Sequence, residues 1–488
     1  MKLAAKLLAI LLIILNTIQA LADNGNTKKS RLLILTDIGG DPDDIQSMRR
    51  LLLYSNEFRI EGLVATSTLV KGTIGTHAKY RVYDSLIHLA IDDYAKVLPQ
   101  LQKHAAGFPS TEYLHQQVFR GQPVRSVDSL KAGLSTPGSR HIIDVVDAGK
   151  ELLHISIWGG AHDLAQALLD VRSSRTKEET NDFVSKLRIY AINDQDKKFH
   201  PQGKGTGEWI RANFPQLWYI EAGPTWMNVF SACYRGMYQN DAAGGSYETI
   251  PLVPPGIEKM NQMAWLKTNV FPKGALGAGY PAGVGQNPRT NRNTQGVKEG
   301  DTPSWFYFLV NGLSDPEHPE WGCWGGRFEH DVDGHFVDAQ DNHWTGSQQS
   351  AVRRKWTVAR WREAYQNDFA GRMQWCISDY NKANHNPLAV IDNDKSKAII
   401  YKDIEAGQSL LADATSSTDP DSNAITFKWW IYQEASSSTA ILKVPQKGKV
   451  QVETSALSPK GEIHLILEVQ DNGKPALTSY RRIVIRVK

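Results

Sequence analysis

The sequence predicts an α/β fold, a mostly parallel sheet with flanking helices, joined to a C-terminal all-β immunoglobulin-like sandwich. An apolar run at residues 31–35 ends in Thr36-Asp37 and is followed by apolar residues at helical spacing. Strand-like and helix-like segments alternate up to Tyr380, which indicates parallel strands with right-handed crossovers. From residue 387 onward, short alternating segments separated by turn residues indicate a sandwich.

Length and charge limit the possible functions. With 488 residues the chain is longer than one typical domain, so we predict an α/β domain at residues 30–383 and a sandwich at residues 387–488. The 55 lysines and arginines nearly balance the 52 aspartates and glutamates, which gives no electrostatic basis for binding nucleic acid or a membrane surface. The three cysteines are an odd number, so disulfides do not organise the fold.

The first 22 residues have the pattern of a secretory signal peptide. Lys2 and Lys6 precede an apolar run, and small residues at Ala20 and Ala22 suit a cleavage site. No later segment approaches the ~20 apolar residues that span a bilayer. We therefore expect an exported protein, periplasmic or extracellular, with no membrane contact after cleavage.

The loop after the first strand carries four carboxylates within eight residues. They belong to Asp37, Asp41, Asp43 and Asp44. Converging carboxylates repel one another without a cation, so the loop predicts a hard, oxygen-ligated metal such as calcium or magnesium. Open α/β sheets also place ligands at the carboxyl ends of their strands. The alternative is a solvated turn in which Asp43 or Asp44 caps the following helix.

This stretch resembles the N-terminal signature of nucleoside hydrolases, roughly Asp-Thr-Asp-Pro-Gly-hydrophobic-Asp-Asp. The resemblance implies that Asp37 is both a calcium ligand and the base that activates water, and that Asp44 is a further ligand. We assign Asp43 to the substrate. Leu35 stands where the family has its first aspartate, and the loop is two residues longer than the signature.

Two later segments resemble the same family. A strand ending at Trp158 is followed by two glycines, as in the segment where the family's last strand residue gives a backbone carbonyl to calcium. Residues 299–304, Glu-Gly-Asp-Thr-Pro-Ser, resemble the late His-Asp-Pro motif and imply that Asp301 is the last ligand. The resemblance thus implies one Ca²⁺ held by Asp37, Asp44, Asp301 and the Trp158 carbonyl. Gly300 occupies the histidine position, so a leaving-group residue is missing there.

Other polar and aromatic residues are candidate carbohydrate contacts. Those at strand ends and in the loop after residue 311 are Asn193, Asp194, Asp196, Trp321 and Trp324. Glu299 is a further candidate contact and, with His162 and His318, a candidate leaving-group acid. The alternative for each is an ordinary polar or packed loop residue. Residues 350–380 are predicted to form one long amphipathic helix whose aromatics belong to the core.

The whole arrangement is similar to a bacterial family of cellulose-binding proteins with a nucleoside-hydrolase-like domain and a C-terminal sandwich. The resemblance implies a carbohydrate or polysaccharide ligand. One hypothesis is calcium-dependent hydrolysis of a furanoside or polysaccharide-derived glycoside, with Asp37 as base. Another is a non-catalytic cellulose- or polysaccharide-binding protein that retains the fold, and a third is a cell-envelope scaffold. The sequence leaves these open, together with the sugar, the linkage and the oligomeric state.

Overall fold

The computed structural model describes residues 29–69, 79–124, 126–197, 204–224, 226–238, 250–287 and 292–488. The predicted signal peptide lies outside these residues. Within the described ranges, no helix is both long enough and apolar enough to cross a membrane.

The first part of the chain is organised around one large sheet. Its strands and the short hairpins beside it are β1 (Ser30–Thr36), β2 (Phe58–Ala65), β3 (Thr68–Leu69), β4 (Tyr80–Arg81), β5 (Val118–Arg120), β6 (Leu153–Ile157), β7 (Leu187–Ile192), β8 (Trp218–Ala222), β9 (Gly283–Asn287), β10 (Arg292–Gln295), β11 (Phe328–His330) and β12 (Phe336–Asp338). Over the described residues the large sheet has eight strands in the order β11-β12-β8-β7-β6-β1-β2-β5. Every neighbouring pair is parallel except β11 with β12, which confirms the predicted mostly parallel sheet.

Helices cover both faces of this sheet. They are α1 (Asp43–Leu53), α2 (Asp84–His104), α3 (Thr111–Gln116), α4 (Pro137–Ala148), α5 (His162–Ser174), α6 (Lys177–Ser185), α7 (Thr206–Asn213), α8 (Met263–Asn269), α9 (Gly274–Ala278), α10 (Thr302–Phe306), α11 (Ser350–Ala359) and α12 (Arg362–Trp375). Strand β1 lies inside the sheet and is buried on both sides: Leu32 and Ile34 belong to one apolar cluster, and Leu33 and Leu35 to the other. This alternation is what the pleat of a doubly covered strand requires.

The prediction of one long helix at residues 350–380 is wrong, because the structure has two helices there, α11 and α12. The chain turns at Arg360 and Trp361, which places Arg360 Nη1 2.7 Å from Asp341 Oδ2. The aromatic side chains of the two helices are buried, as predicted for core residues.

The C-terminal region is an all-β sandwich, as predicted. Its strands are β13 (Ile400–Ile404), β14 (Ser409–Asp413), β15 (Ile425–Ile431), β16 (Ile441–Gln446), β17 (Lys449–Glu453), β18 (Gly461–Asp471) and β19 (Thr478–Val487). Residues 387–488 are all described and form a four-stranded and a three-stranded sheet. Sequence patterns missed β16, which contains Pro445. It lies at the edge of the three-stranded sheet, where a missing backbone N–H is tolerated.

The two halves of the molecule pack through buried polar and aromatic side chains. Trp429 lies in the sandwich core, and the adjacent Trp430 faces the other way, with its ring 5.8 Å from that of Trp361. Tyr432 donates a 2.6 Å hydrogen bond to Asp341 Oδ2, an aspartate buried in the α/β region. These contacts hold the sandwich against the first domain.

Candidate functional site

The acidic loop joins β1 directly to helix α1. Gly39 has φ +102°, a conformation that other residues rarely adopt, and it lets the loop turn back over the end of the strand. Asp43 and Asp44 then occupy the first turn of α1, where the helix dipole favours negative charge. Thr36 Oγ1 donates a 2.5 Å hydrogen bond to Asp44 Oδ1 and fixes the direction of that carboxylate.

Three carboxylates converge at the end of this loop. Asp43, Asp44 and Asp301 each offer an oxygen, and these oxygens lie within 4.8 Å of one another. Asp301 is held there by contacts between its segment and α1. Gln46 accepts a 2.6 Å hydrogen bond from the Lys298 backbone N–H and donates one of 3.0 Å to the Gly296 carbonyl. The tertiary structure therefore unites aspartates that are more than 250 residues apart.

Asp37 and the loop after β6 border the same cluster. A Cβ built on Gly159 would lie 2.5 Å from Asp37 Oδ1, so only glycine allows this approach. The preceding residue, Trp158, was predicted to offer its carbonyl to calcium. That carbonyl accepts a short hydrogen bond from Gln195 Nε2. Of the predicted ligands, Asp44 and Asp301 belong to the three-carboxylate cluster, with Asp43 in addition. The predicted roles of Asp37 and of the Trp158 carbonyl stay predictions, and Gln195 competes for that carbonyl.

Burial and repulsion raise the pKa of two carboxyl groups in the cluster. Burial, and after it the charges of Asp44 and Asp43, raises the pKa of Asp301 well above its usual value. Burial raises the pKa of Asp43 to about 6, with Lys298 opposing this and Asp41 and Asp37 adding to it. Asp43 Oδ1 and Asp301 Oδ2 are buried and accept no hydrogen bond from the residues that the structure describes. Carboxylate oxygens in this situation are costly unless a cation or proton joins them.

Sequence patterns missed two polar residues beside the cluster. Lys298 Nζ lies 2.7 Å from Asp41 Oδ2 and 4.0 Å from Asp43 Oδ2. Its position three residues before Asp301 is the sequence signal from which its place beside the cluster could have been predicted. Tyr238 fills the space beside Gly300, because a Cβ on that glycine would lie 2.8 Å from the tyrosine hydroxyl. No sequence signal pointed to Tyr238, which is 62 residues from the motif.

The predicted sugar contacts at the end of β7 have structural partners. Asp194 accepts hydrogen bonds from the backbone N–H groups of Gly207 and Glu208 in the first turn of α7, the second at 2.7 Å. Asp196 lies 3.0 Å from His162 Nδ1, and both side chains are buried. Asn193, with φ +61°, donates a 2.6 Å hydrogen bond to the Gly223 carbonyl. These contacts connect loops and helix ends, and they do not support the predicted role in sugar binding.

Glu299 is a buried structural residue, contrary to the prediction that it contacts substrate or acts as an acid. Its carboxylate is fully buried and receives hydrogen bonds of 2.5 and 2.9 Å from Arg50. Tyr280 and Thr302 also donate to it. Each oxygen of this carboxylate therefore accepts two hydrogen bonds from side chains within the described structure.

The predicted aromatic wall of Trp321 and Trp324 is also wrong. Each ring is 3% exposed. Trp321 stacks on His318 with ring centroids 4.0 Å apart, and Arg482 of the sandwich donates to its carbonyl at 3.0 Å. Both tryptophans belong to the seam between the two domains, where burying large rings stabilises the packing.

Comparisons with known proteins identify the relatives of this chain. Residues 31–328 match a family model described as "Cellulose-binding Sde182, nucleoside hydrolase-like domain". This match covers more than half of the chain. The chain belongs to this family. Residues 409–487 match a second model, described as "Cellulose-binding protein Sde0182, C-terminal domain". No curated protein matches the chain.

A solved structure supports the same assignment. It is a nucleoside hydrolase-related hypothetical protein from Saccharophagus degradans, described as associated with carbohydrate metabolism. The two chains are 29% identical with a TM-score of 0.74, over 94% of this chain and 100% of the other. The effector XOO4466 and the type III effector XopQ, complexed with adenosine diphosphate ribose, are each 9% identical over 74% of this chain. At TM-scores of 0.37 and 0.33 they carry no weight here.

Proposed function

We propose that this family member is an exported hydrolase of glycosyl bonds that uses one calcium ion. The observation that carries the proposal is the convergence of Asp43, Asp44 and Asp301 within 4.8 Å. The carbohydrate substrate is supported by the cellulose-binding description of the family and by the association of the S. degradans relative with carbohydrate metabolism. Export rests on the pattern of residues 1–22.

The residues present fit a calcium ion. The available donors are carboxylate and carbonyl oxygens, which hard divalent cations prefer. Asp43 Oδ1 and Asp301 Oδ2, buried without a hydrogen bond from any described part of the chain, are oxygens that a cation would satisfy. Asp37, Asp44 and the Trp158 carbonyl are the further donors that we propose. When bound, calcium would polarise a water molecule and orient the hydroxyls of the sugar.

The side chains of this site supply the base and the hydrogen-bond donor of the proposed reaction. Asp37, half-buried and held against Gly159, removes the proton of the attacking water. The water oxygen bonds to the anomeric carbon as the bond to the leaving oxygen breaks. That oxygen takes a proton from solvent as it leaves, and we assign to the Tyr238 hydroxyl beside Gly300 the role of donating a hydrogen bond to it. Burial raises the pKa of Tyr238 above its ordinary value, so the hydroxyl keeps its proton.

The geometry favours a leaving group other than a nucleobase. A side chain at position 300 would collide with Tyr238, so the position where the resembled nucleoside hydrolases carry a histidine has no room for one here. We therefore propose a furanoside or a glycoside derived from a polysaccharide as the substrate.

A non-catalytic polysaccharide-binding protein is the second candidate. Two contacts favour it. The Gln195 amide donates to the Trp158 carbonyl, and the Lys298 ammonium group lies beside Asp41 and Asp43. The first contact satisfies a carbonyl oxygen that a calcium ion would otherwise use, and the second brings a positive charge to the carboxylates without a metal. In such a protein the aspartates would stabilise the loop without activating water.

The test is release of reducing sugar from plant and algal polysaccharides, furanosides and nucleosides by the full-length protein. Wild type is compared with Asp37→Asn, each with added calcium and with chelator. Asp403→Asn, an exposed change in the sandwich, is the control. Release that requires both calcium and Asp37 supports the hydrolase. Cellulose retention that is unchanged in Asp37→Asn, without release from any substrate, supports the binding protein instead.

A further inference from the structure

A second cleft lies beside the edge of the large sheet, away from the acidic cluster. It has a volume of about 490 Å³, within the range of ligand pockets, and it opens between α7, the end of β8 and the turn after β11. Trp226 lines this cleft and is 68% exposed. Strands β6 and β7 separate β8 from β1, so the cleft is about 14 Å or more from the acidic loop at usual strand spacing.

The polar floor of the cleft is fixed before any ligand arrives. Arg211 Nη1 lies 2.7 Å from Glu221 Oε2, and the Glu221 side chain is 5% exposed. The Arg211 guanidinium also lies over the Tyr219 ring, 5.5 Å from its centroid. Asp331 lines the same cleft, and its Oδ1 accepts hydrogen bonds from two backbone N–H groups of its own turn. Rigid polar groups lose little conformational entropy when they bind a ligand.

The charges of the cleft select against anions. Glu221, Asp331 and Asp333 bring three carboxylates, and Arg211 brings a compensating positive charge that is already paired. Phosphates, sulfated sugars and uronates would therefore be repelled. A neutral sugar ring is different, because it has an apolar face of C–H groups and a rim of hydroxyls. The exposed indole of Trp226 can stack on the apolar face, and the carboxylates can accept hydrogen bonds from the hydroxyls.

We propose that this cleft binds a segment of a neutral polysaccharide, with Trp226 stacking on a sugar ring. The inference rests on the proposed function in taking the ligand to be a carbohydrate, but it needs neither the cation nor hydrolysis. Trp226 follows the carboxyl end of β8, the same edge of the sheet that carries the acidic cluster. A glycan held on Trp226 can therefore extend along this edge toward Asp37.

The test measures binding of full-length protein to cellohexaose by calorimetry and to amorphous cellulose by depletion from solution. We expect Trp226→Ala to weaken cellohexaose binding about tenfold and to reduce retention on cellulose. Trp344→Ala is the matched control, because this tryptophan is also exposed, at 42%, and does not line the cleft. Trp226→Phe, which keeps an aromatic face, should restore most of the affinity. Asp182→Asn, an exposed change on α6, should leave binding unchanged.

Two results would overturn the proposal. One is retention of wild-type affinity by Trp226→Ala, and the other is failure of the wild type to bind either glucan. Failure of the hydrolase proposal is a separate result: no substrate is hydrolysed, yet binding remains sensitive to Trp226→Ala. Circular dichroism of each variant identifies any loss of affinity that comes from unfolding.

Discussion

The carboxylate of Asp37 lies directly against the α-carbon of Gly159, so that a methyl group on this glycine would be 2.5 Å from Asp37 Oδ1. The loop after β6 is thereby part of the wall of the acidic site. Because β6 and β1 are parallel neighbours, the carboxyl ends of these two strands lie at the same edge of the sheet. Asp37 can therefore occupy this position only because residue 159 has no side chain.

Substituting Gly159→Ala should therefore displace Asp37 without unfolding the protein. We expect calcium affinity, measured by calorimetry, and any hydrolysis to fall about tenfold or more, because the methyl group cannot share the space with the carboxylate. Gly371→Ala is the control: its nearest neighbour is a flexible leucine side chain at 3.3 Å, and alanine suits a helix interior. Unchanged calcium affinity in Gly159→Ala would exclude Asp37 from the site.

Calcium should raise the thermal stability of the wild type but not of Asp301→Asn. A ligand at 100 times its Kd adds about 2.7 kcal/mol to the free energy of unfolding. Asn at position 301 removes a carboxylate whose burial is costly, so the variant should be at least as stable as the wild type in chelator. Tm with and without calcium is the measurement, and Asp182→Asn, an exposed change on α6, should keep the full rise. An equal rise in Asp301→Asn would place the cation elsewhere.

Glu299→Gln should destabilise the fold by about 3–5 kcal/mol, because it leaves the buried Arg50 guanidinium without its countercharge. Urea unfolding at pH 7 measures this loss. Glu453→Gln removes a partner of Lys443 on the surface of the sandwich and should change stability little. If Glu299→Gln is instead stable but inactive, Glu299 belongs to the catalytic machinery after all.

Acid should weaken the seam between the domains through His464. Burial, and after it the charge of Arg482, lowers the pKa of His464 to about 2. Below the ordinary value of 6.5 the unfolded chain therefore binds a proton that the folded protein does not. Stability is lost as the pH falls, by about 1.4 kcal/mol between pH 7.5 and 5.5.

The variant His464→Gln should lose this part of the pH dependence. Glutamine keeps an acceptor for Arg482, which donates to His464 Nδ1 at 3.0 Å, but it does not titrate. Urea unfolding between pH 7.5 and 5.5 compares the slopes of the variant, the wild type and the control His330→Gln, an exposed change. Identical slopes in all three proteins would mean that His464 is protonated in the folded state.

Sequence patterns predicted the parts of the fold that depend on local order. The apolar run before Asp37 predicted a buried strand, and the structure has β1 as a buried interior strand of the sheet. The paired tryptophans Trp429 and Trp430 point in opposite directions, as alternation along a strand requires. Pro445 obscured an edge strand because proline lowers strand propensity wherever it occurs.

The sequence by itself determined the α/β and sandwich architecture, the acidic loop and the family, because these depend on periodicity and on short motifs. Only the tertiary structure decided which polar residues meet. In the folded protein Asp301 lies beside Asp44, and Glu299 is buried in an ion pair with Arg50. Trp321 is buried in the seam between the two domains. Trp226, by contrast, is exposed above a cleft. The burial of a side chain and its hydrogen-bond partners depend on segments hundreds of residues apart, and no local sequence pattern contains that information.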